Sequence, residues 1–324
     1  MQAAILAAGK STRTYPLTIA RPKPLLKAAN RTLLEHNLDN LDGVADEIIL
    51  VVGYRKEMVK KFLKGKYKNL KIRYVEQKQQ SGTGNALLAV EKHVKNDFIS
   101  LHGDDIYSKG DFKNVIKNKY SILVKRVENP GAFGIVAEKN NILVDLIEKP
   151  QKFISNLANT GLYKLDKKIF AILKNLKKSK RGEYELTDAI RDLAKKNKVY
   201  CATSKQWLPI GYPSDLLKAD IALRKNKSII GKNSKIHGNV KNSSIGNNCL
   251  IKGKVKNSII MDNTMIGANS LIEDSIIASH VYFKGNALNA VIADNVKAKN
   301  VIAKNCKIWP NKTISGKTIM HDLK

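Results

Sequence analysis

The sequence predicts an α/β domain built on a largely parallel sheet, followed by a parallel β-helix. Two observations carry that expectation. Up to about residue 228, apolar runs alternate with amphipathic stretches, as strands and helices do when they follow one another in turn. After residue 228, aliphatic or aromatic residues recur at Ile230, Ile236, Ile245, Ile251, Ile260, Ile266, Ile272 and Ile277, then at Phe283, Ile292, Ile302, Ile308 and Ile314, mostly six residues apart and otherwise mainly nine. This is a hexapeptide repeat, whose short strands stack apolar positions into one continuous core while glycine and asparagine take the corners. The change of rhythm divides the chain into residues 1–228 and 229–324.

In the first part, apolar runs of strand length fall at 3–8, 47–52, 71–75, 97–102, 121–125 and 159–163. Amphipathic stretches of helix length fall at 31–41, 56–63, 84–94, 167–176 and 186–196. The helix from 186 opens on Thr187-Asp188, which can cap and charge its first turn. Open parallel sheets bind ligands beyond the carboxyl ends of their strands, so the loops after Ala8, Val75 and His102 are expected to converge.

A chain of 324 residues suits two domains with real cores. No run of 18 apolar residues exists, so no membrane span is expected. The N-terminal apolar stretch lacks a charged leader and a cleavage pattern and reads as a strand. Cys201, Cys249 and Cys306 lie far apart with no C-x-x-C pair, which argues against a zinc site or a disulfide framework and for a reduced cytoplasm. The net charge of +30 divides as +9 after residue 228 (14 Lys against 5 Asp or Glu) and +21 before it. It is spread along the chain with few interleaved aromatics, so a specific nucleic-acid partner is not expected, although the field attracts polyanionic nucleotides.

The most informative segment is Leu6-Ala7-Ala8-Gly9-Lys10-Ser11-Thr12-Arg13, followed by Pro22-Lys23-Pro24. A buried strand ending in glycine and small polar residues turns backbone N–H groups toward an anion, and Arg13 and Lys23 add full charges. A Walker A loop is excluded, because Ala4 stands where that motif needs its first glycine. Further on, Tyr74-Val75-Glu76-Gln77 leads into Ser81-Gly82-Thr83-Gly84, whose glycines let the backbone approach a flat base while Gln77 offers both donor and acceptor to a pyrimidine edge. His102-Gly103-Asp104-Asp105 follows a buried strand and supplies hard oxygen ligands suited to Mg²⁺.

Leu6 through Leu17-Thr18, with Pro22-Lys23-Pro24, resembles the signature of the sugar-1-phosphate nucleotidylyltransferases, with Ser11 standing where glycine is usual. The resemblance implies a Rossmann-like nucleotidylyltransferase domain, and the repeats resemble the left-handed β-helix often found behind it, at about 18 residues per coil and roughly five coils. It implies transfer of a nucleotidyl group from UTP or dTTP to a sugar 1-phosphate, glucose 1-phosphate or N-acetylglucosamine 1-phosphate foremost, with Mg²⁺ as cofactor. In that scheme Arg13 stabilises the leaving pyrophosphate, Lys23 the reacting phosphates and Asp104 the metal. Leu6, Ala8, Gly9, Gln77, Gly82 and Thr83 hold the nucleotide. Gly134, Glu148, Lys149, Asn159 and Glu183, on segments that resemble the family's sugar side, hold the sugar phosphate.

Where many relatives read W-x-D-x-G-x-P, this chain reads Trp207-Leu208-Pro209-Ile210-Gly211-Tyr212-Pro213, so Pro209 cannot supply a second metal carboxylate. That departure keeps open a non-catalytic assembly or regulatory subunit, as in the nucleotidylyltransferase-like subunits of a translation-factor exchange complex. Some relatives also transfer acetyl groups on the β-helix with a histidine base. Here His237, His280 and His321 are available, but the array is short and lacks an arm for coenzyme A. The β-helix is instead expected to build a homo-oligomer. Every candidate site residue precedes residue 214, so a chain lacking 229–324 is expected to keep detectable pyrophosphate formation.

Overall fold

A computed structural model describes residues 1–324. The chain forms two compact units, one of residues 1–9 and 34–208 and the other of residues 10–33 and 209–324. The segment 10–33 therefore leaves the sheet unit after the first strand and folds with the repeats.

The first unit is built on a ten-stranded sheet. At its centre Gln2–Leu6 pairs in parallel with Glu47–Val52 on one side and Phe98–His102 on the other, and Glu47–Val52 pairs in parallel with Leu70–Glu76. All five residues of the first strand are buried, as they must be when helices cover both faces of a parallel sheet. Strand 47–52 and helix 56–63 have the expected bounds. The helix expected at 84–94 is shorter, Thr83–Leu88, with a separate 3-10 turn at Glu91–His93.

The parallel character is confined to this half and to one further pair, Tyr200–Thr203 beside Ser121–Arg126. Leu157–Leu165 runs antiparallel to both Phe98–His102 and Ser121–Arg126, and the edge is a hairpin of Gly134–Lys139 and Ile142–Glu148. These hairpin strands, Tyr200–Thr203 and the helix Pro213–Arg224 have no counterpart among the expected elements.

Strand Leu157–Leu165 carries a register shift between Asn159 and Tyr163. Within it Gly161 has φ +78°, and a Cβ there would stand 2.3 Å from His102 Nδ1. Left-handed backbone and a clash with a ring on the neighbouring strand act together. Gly161→Ala should lower the unfolding free energy by about 2–4 kcal/mol. A urea titration checks this, and a change under about 0.5 kcal/mol would show that the strand yields.

In the second unit the repeats form a parallel β-helix. One face is a six-stranded sheet in which Ile229 pairs with Ser244, Ser244 with Ile259, Ile259 with Ile276, Ile276 with Val291 and Val291 with Lys307. Successive coils are thus 15, 15, 17, 15 and 16 residues apart, shorter and more numerous than the expected 18-residue coils. Ile245, Ile251, Ile260, Ile266, Ile272, Ile277, Phe283, Ile292, Ile308 and Ile314 stack into the core as expected.

Ile230 and Ile236 are exposed on the first coil, and Ile302 is 45% exposed for a different reason. The pairing of Lys284 with Lys299 and of Gly285 with Val301 leaves Asn300 as an extra residue. One inserted residue exchanges the two faces of a strand, so Val301 and Ala303 turn inward and Ile302 outward.

Corners and glycines divide the work differently from the expectation. Asparagine occupies most left-handed corners, including Asn242, Asn248, Asn257, Asn263, Asn289 and Asn305. The side chains stack coil to coil, with Asn242 donating to Asn257 at 2.7 Å and Asn289 to Asn305 at 2.9 Å. Gly238 serves close approach instead, since its Cβ would lie 1.9 Å from the Gly253 carbonyl oxygen.

Candidate functional site

In the first unit the order of strands reverses between Gln2–Leu6 and Phe98–His102, because the chain runs outward through Glu47–Val52 and Leu70–Glu76 and then returns to the other side of the first strand. Loops separate at such a point and leave a crevice. The strand-end loops meet there as expected. Gly103 N donates to Leu6 O at 2.9 Å, Tyr54 N to Ala8 O at 2.9 Å, and Gln77 N to Val52 O at 2.9 Å. Leu6 and Ala8 are buried and lend backbone, whereas Gly9 is exposed. Gly53 and Gly103 permit the packing, since Cβ atoms there would lie 2.8 Å from Ala8 O and from Ile5 Cγ2.

Gln77 is buried and holds the loop that follows it. Its amide nitrogen donates to Gly82 O at 3.1 Å and to Asn85 Oδ1 at 2.9 Å. A peptide carbonyl only accepts, so the nitrogen must face Gly82, and both amide hydrogens are then used. The sequence reading gave Gln77 a donor and an acceptor for a base. In this arrangement its carbonyl oxygen remains to accept, which suits the N3–H of uracil or thymine.

The same loop is tied to a distant segment. Tyr184 N donates to Ser81 O at 2.8 Å and Gly84 N to Tyr184 O at 2.7 Å. Leu186 N donates to Thr83 Oγ1 at 3.0 Å. Gly82, at φ +109°, must be glycine, because a Cβ would lie 2.6 Å from Tyr184 O. Thr83 thereby satisfies the start of helix Leu186–Ala194, a role the sequence reading gave to Thr187. The Thr187 hydroxyl is buried and has no hydrogen-bond partner.

That orphaned hydroxyl belongs to the expected sugar side. A Cβ on Gly134 would lie 2.8 Å from Glu148 Oε2, 3.4 Å from Thr187 Cγ2 and 3.7 Å from Asn159 Cβ, so four segments close on one spot. Gly134 pairs in register with Glu148, which fixes the carboxylate at the end of the hairpin. Asn159 donates to the Tyr163 hydroxyl at 2.7 Å and accepts from Gly161 N at 3.0 Å. Burial is the main reason the Tyr163 phenol is held protonated well above its ordinary range.

Arg181 lies 3.5 Å from Glu148, 3.8 Å from Glu183 and 3.3 Å from Glu185. Burial raises the Glu185 carboxyl, against the lowering influence of Arg181. Lys149 follows at φ +47°, its N–H bonded to Phe133 O at 3.0 Å. Arg181 and Thr187 were not among the expected site residues. Only their nearness to Glu183 gave any signal, since neither shows a spacing that marks it.

Asp104 and Asp105 occupy the turn after Phe98–His102. Asp105 accepts from Trp207 Nε1 at 3.0 Å, and Trp207–Leu208 pairs with Ile106–Tyr107. Burial first, then the charges of Asp105 and Asp104, push the Tyr107 phenol well above its ordinary range. No group of three His, Cys, Asp or Glu side chains is placed to cage a metal. The carboxylates of the Asp104–Asp105 turn are of the kind Mg²⁺ takes, one or two at a time, completing its octahedron with water and substrate phosphates. Asp104 would hold it, and the ion would neutralise phosphate charge.

Arg13 and Lys23 belong to the second unit. Ser11 has φ +53°, the left-handed conformation that explains why glycine is usual there. The turn is closed by Thr14 and Thr18 hydroxyls donating to Ser11 O at 2.7 and 2.9 Å. Arg13 is exposed and lies over the Tyr212 ring at 5.7 Å from its centroid. Lys23 is buried in a short 3-10 turn, Lys23–Leu25. Pro209 begins the return of the chain to this unit and brings no carboxylate. His237, His280 and His321 are all exposed. The three cysteines are free and buried, burial pushing the Cys201 thiol up to about 12. No helix is long and apolar enough to cross a membrane.

Comparison with known proteins agrees with this fold. The family model described as Nucleotidyl transferase matches residues 2–226, and one described as GMPPB C-terminal domain matches residues 221–322. The chain is 40% identical over 245 residues to the Bifunctional protein GlmU of Methanocaldococcus jannaschii, which covers 74% of this chain and 57% of that protein. It is 35% identical over 236 residues to the UTP--glucose-1-phosphate uridylyltransferase AglF of Haloferax volcanii, covering 69% of this chain and 97% of that one. A crystal structure of UDP-glucose pyrophosphorylase complexed with UDP-glucose superposes with a TM-score of 0.64 at 24% identity, over 70% of this chain and 99% of that one, a likeness of fold.

Proposed function

The chain belongs to the nucleotidyl transferase family, and from that premise we propose that it transfers the nucleotidyl group of UTP or dTTP to a sugar 1-phosphate, glucose 1-phosphate or N-acetylglucosamine 1-phosphate, releasing pyrophosphate. A phosphate oxygen of the sugar 1-phosphate attacks the α-phosphorus in line and pyrophosphate leaves, so the protein's work is positioning and charge neutralisation. No protein nucleophile is needed.

Residues 1–228 carry this chemistry. Leu6, Ala8, Gly9, Gly82 and Thr83 line the nucleotide with backbone, and the Gln77 carbonyl oxygen accepts from the base. Glu148, Asn159, Glu183 and the Thr187 hydroxyl take sugar hydroxyls, Gly134 leaves room for the ring, and Lys149 pairs with the sugar phosphate. Asp104 holds Mg²⁺, Arg13 faces the leaving pyrophosphate and Lys23 the reacting phosphates.

The observation that carries the reading is the tie between the Gln77 loop and the Tyr184–Leu186 segment, which links the proposed base side and sugar side in one hydrogen-bonded structure. A scaffold subunit, the reading Pro209 favours, has no physical need for the charges of Arg13, Lys23, Asp104 and Lys149 together. The test is a panel of sugar 1-phosphates against four nucleoside triphosphates, read as pyrophosphate release. UTP or dTTP should lead the purine nucleotides. Gln77→Ala should lower kcat/KM for the preferred nucleotide by about tenfold or more, since a site built to hydrogen-bond a base loses that discrimination. Folded protein that releases no pyrophosphate with any pair would overturn the proposal in favour of the scaffold.

A further inference from the structure

The repeats do more than stack: they grip the segment that carries Arg13 and Lys23. The two strands Lys27–Ala28 and Arg31–Thr32 form a hairpin whose turn residues, Ala29 and Asn30, both have positive φ. Asn30 donates to Ile245 O at 2.6 Å, on a repeat strand. Ala29 N donates to Asp220 at 2.7 Å, and the same carboxylate oxygen accepts from the Ser244 hydroxyl at 2.6 Å. Two ion pairs flank this contact. Lys27 meets Asp262 at 2.5 Å, and Arg21 meets Asp294 with side chains only 15% and 5% exposed.

These two carboxylates are more than the β-helix itself requires. At the corresponding corners one side-chain oxygen accepts the backbone N–H of the preceding coil. Asp262 accepts from Asn247 N at 2.8 Å and Asp294 from Ser279 N at 3.3 Å. One coil earlier Asn247 does the same for Lys232 N at 2.8 Å. An amide therefore suffices for the coil, and the charge at 262 and 294 is surplus to it. Its partners are Lys27 and Arg21, which bracket Pro22-Lys23-Pro24-Leu25-Leu26. Two prolines fix φ within that short bridge, so holding its ends limits where Lys23 can stand.

We propose that Asp262 and Asp294 are positioning residues for nucleotidyl transfer, acting through Lys27 and Arg21 to hold Lys23 in its reactive place. The proposal rests on the function proposed above. It assigns the β-helix a part in the reaction besides assembly.

The test uses the full chain with Asp262→Asn and Asp294→Asn, alone and together. Asparagine keeps the acceptor for the coil; Asp262→Asn should leave the melting temperature little changed, whereas Asp294→Asn leaves the largely buried Arg21 guanidinium without its counter-ion and should lower it, so kcat is read well below the melt of each variant. The double variant should lose about tenfold to a hundredfold in kcat, with KM for nucleotide changed by less than about threefold, because misplacing a catalytic group by an ångström has that scale of effect. Amide hydrogen exchange in residues 10–33 should quicken in the same variant. Unchanged kcat in folded protein overturns the proposal, and so does a fall in kcat with exchange in 10–33 unaltered. If the wild-type protein itself transfers nothing, the proposed function fails, and exchange alone decides whether the carboxylates anchor the segment: quickened exchange upholds the anchor, unaltered exchange removes it.

Discussion

Arg13→Ala and Lys23→Met are each expected to lower kcat by about 10²–10³ while the fold persists. The charge that grows on the transferring phosphates needs fixed cations, and removing one such group typically has an effect of that size. Arg13 is exposed and rests on Tyr212, so its truncation leaves no cavity. Lys23 is buried, and alanine there would confound lost charge with lost packing. Methionine keeps the length of the stem and removes only the ammonium. Steady-state pyrophosphate release beside a thermal melt separates the two effects. Near-normal turnover in both variants would withdraw the roles proposed for these cations.

Removal of residues 229–324 should abolish measurable transfer, the opposite of what the sequence suggests. The positions of the candidate residues along the chain all precede 214, but residues 10–33 pack with the repeats. Without them Lys27 and Arg21 lose Asp262 and Asp294, Asn30 loses Ile245 O, and Asp220 loses Ser244. The sheet unit has its own core, including Phe98 stacked on Phe170 at 5.8 Å, so a cooperative melt should remain. Pyrophosphate release is expected to fall by more than about a hundredfold, the scale of a mispositioned catalytic group. Full activity in the shortened protein would show that residues 10–33 keep their conformation unaided and would remove the ground for a catalytic part of the β-helix.

Much of the site was legible because its signals are local. Ser11 marks a backbone turn that its own neighbours close, Gly82 stands in a visible glycine run although the contact that requires it is with distant Tyr184, and the run ending at His102 announces a strand with Asp104 beyond it. Gly134, Glu148 and Asn159 were placed by motif order, and the structure brings them to one spot through the hairpin register. The role expected for Thr187 fell to Thr83, 103 positions from its partner Leu186, because a hydroxyl that reaches a helix start from another segment leaves no trace at the helix itself. The hairpin at 134–148 escaped notice for a related reason. Its strands are only half-buried, so their apolar pattern is weak, and antiparallel pairing depends on a partner chosen only when the sheet assembles.

The sequence by itself determined the two rhythms, the central parallel strands and the hexapeptide core, since each follows from the period at which apolar side chains must meet a neighbouring layer. It also determined the chemistry available at Arg13, Lys23, Gln77 and Asp104. Only the tertiary structure decided the length of a coil, the turning outward of Ile302 past Asn300, and the folding of residues 10–33 with the repeats. Those depend on pairing between distant parts of the chain, where one inserted residue exchanges the faces of a strand and a carboxylate shows its purpose only once its cation has been carried to it.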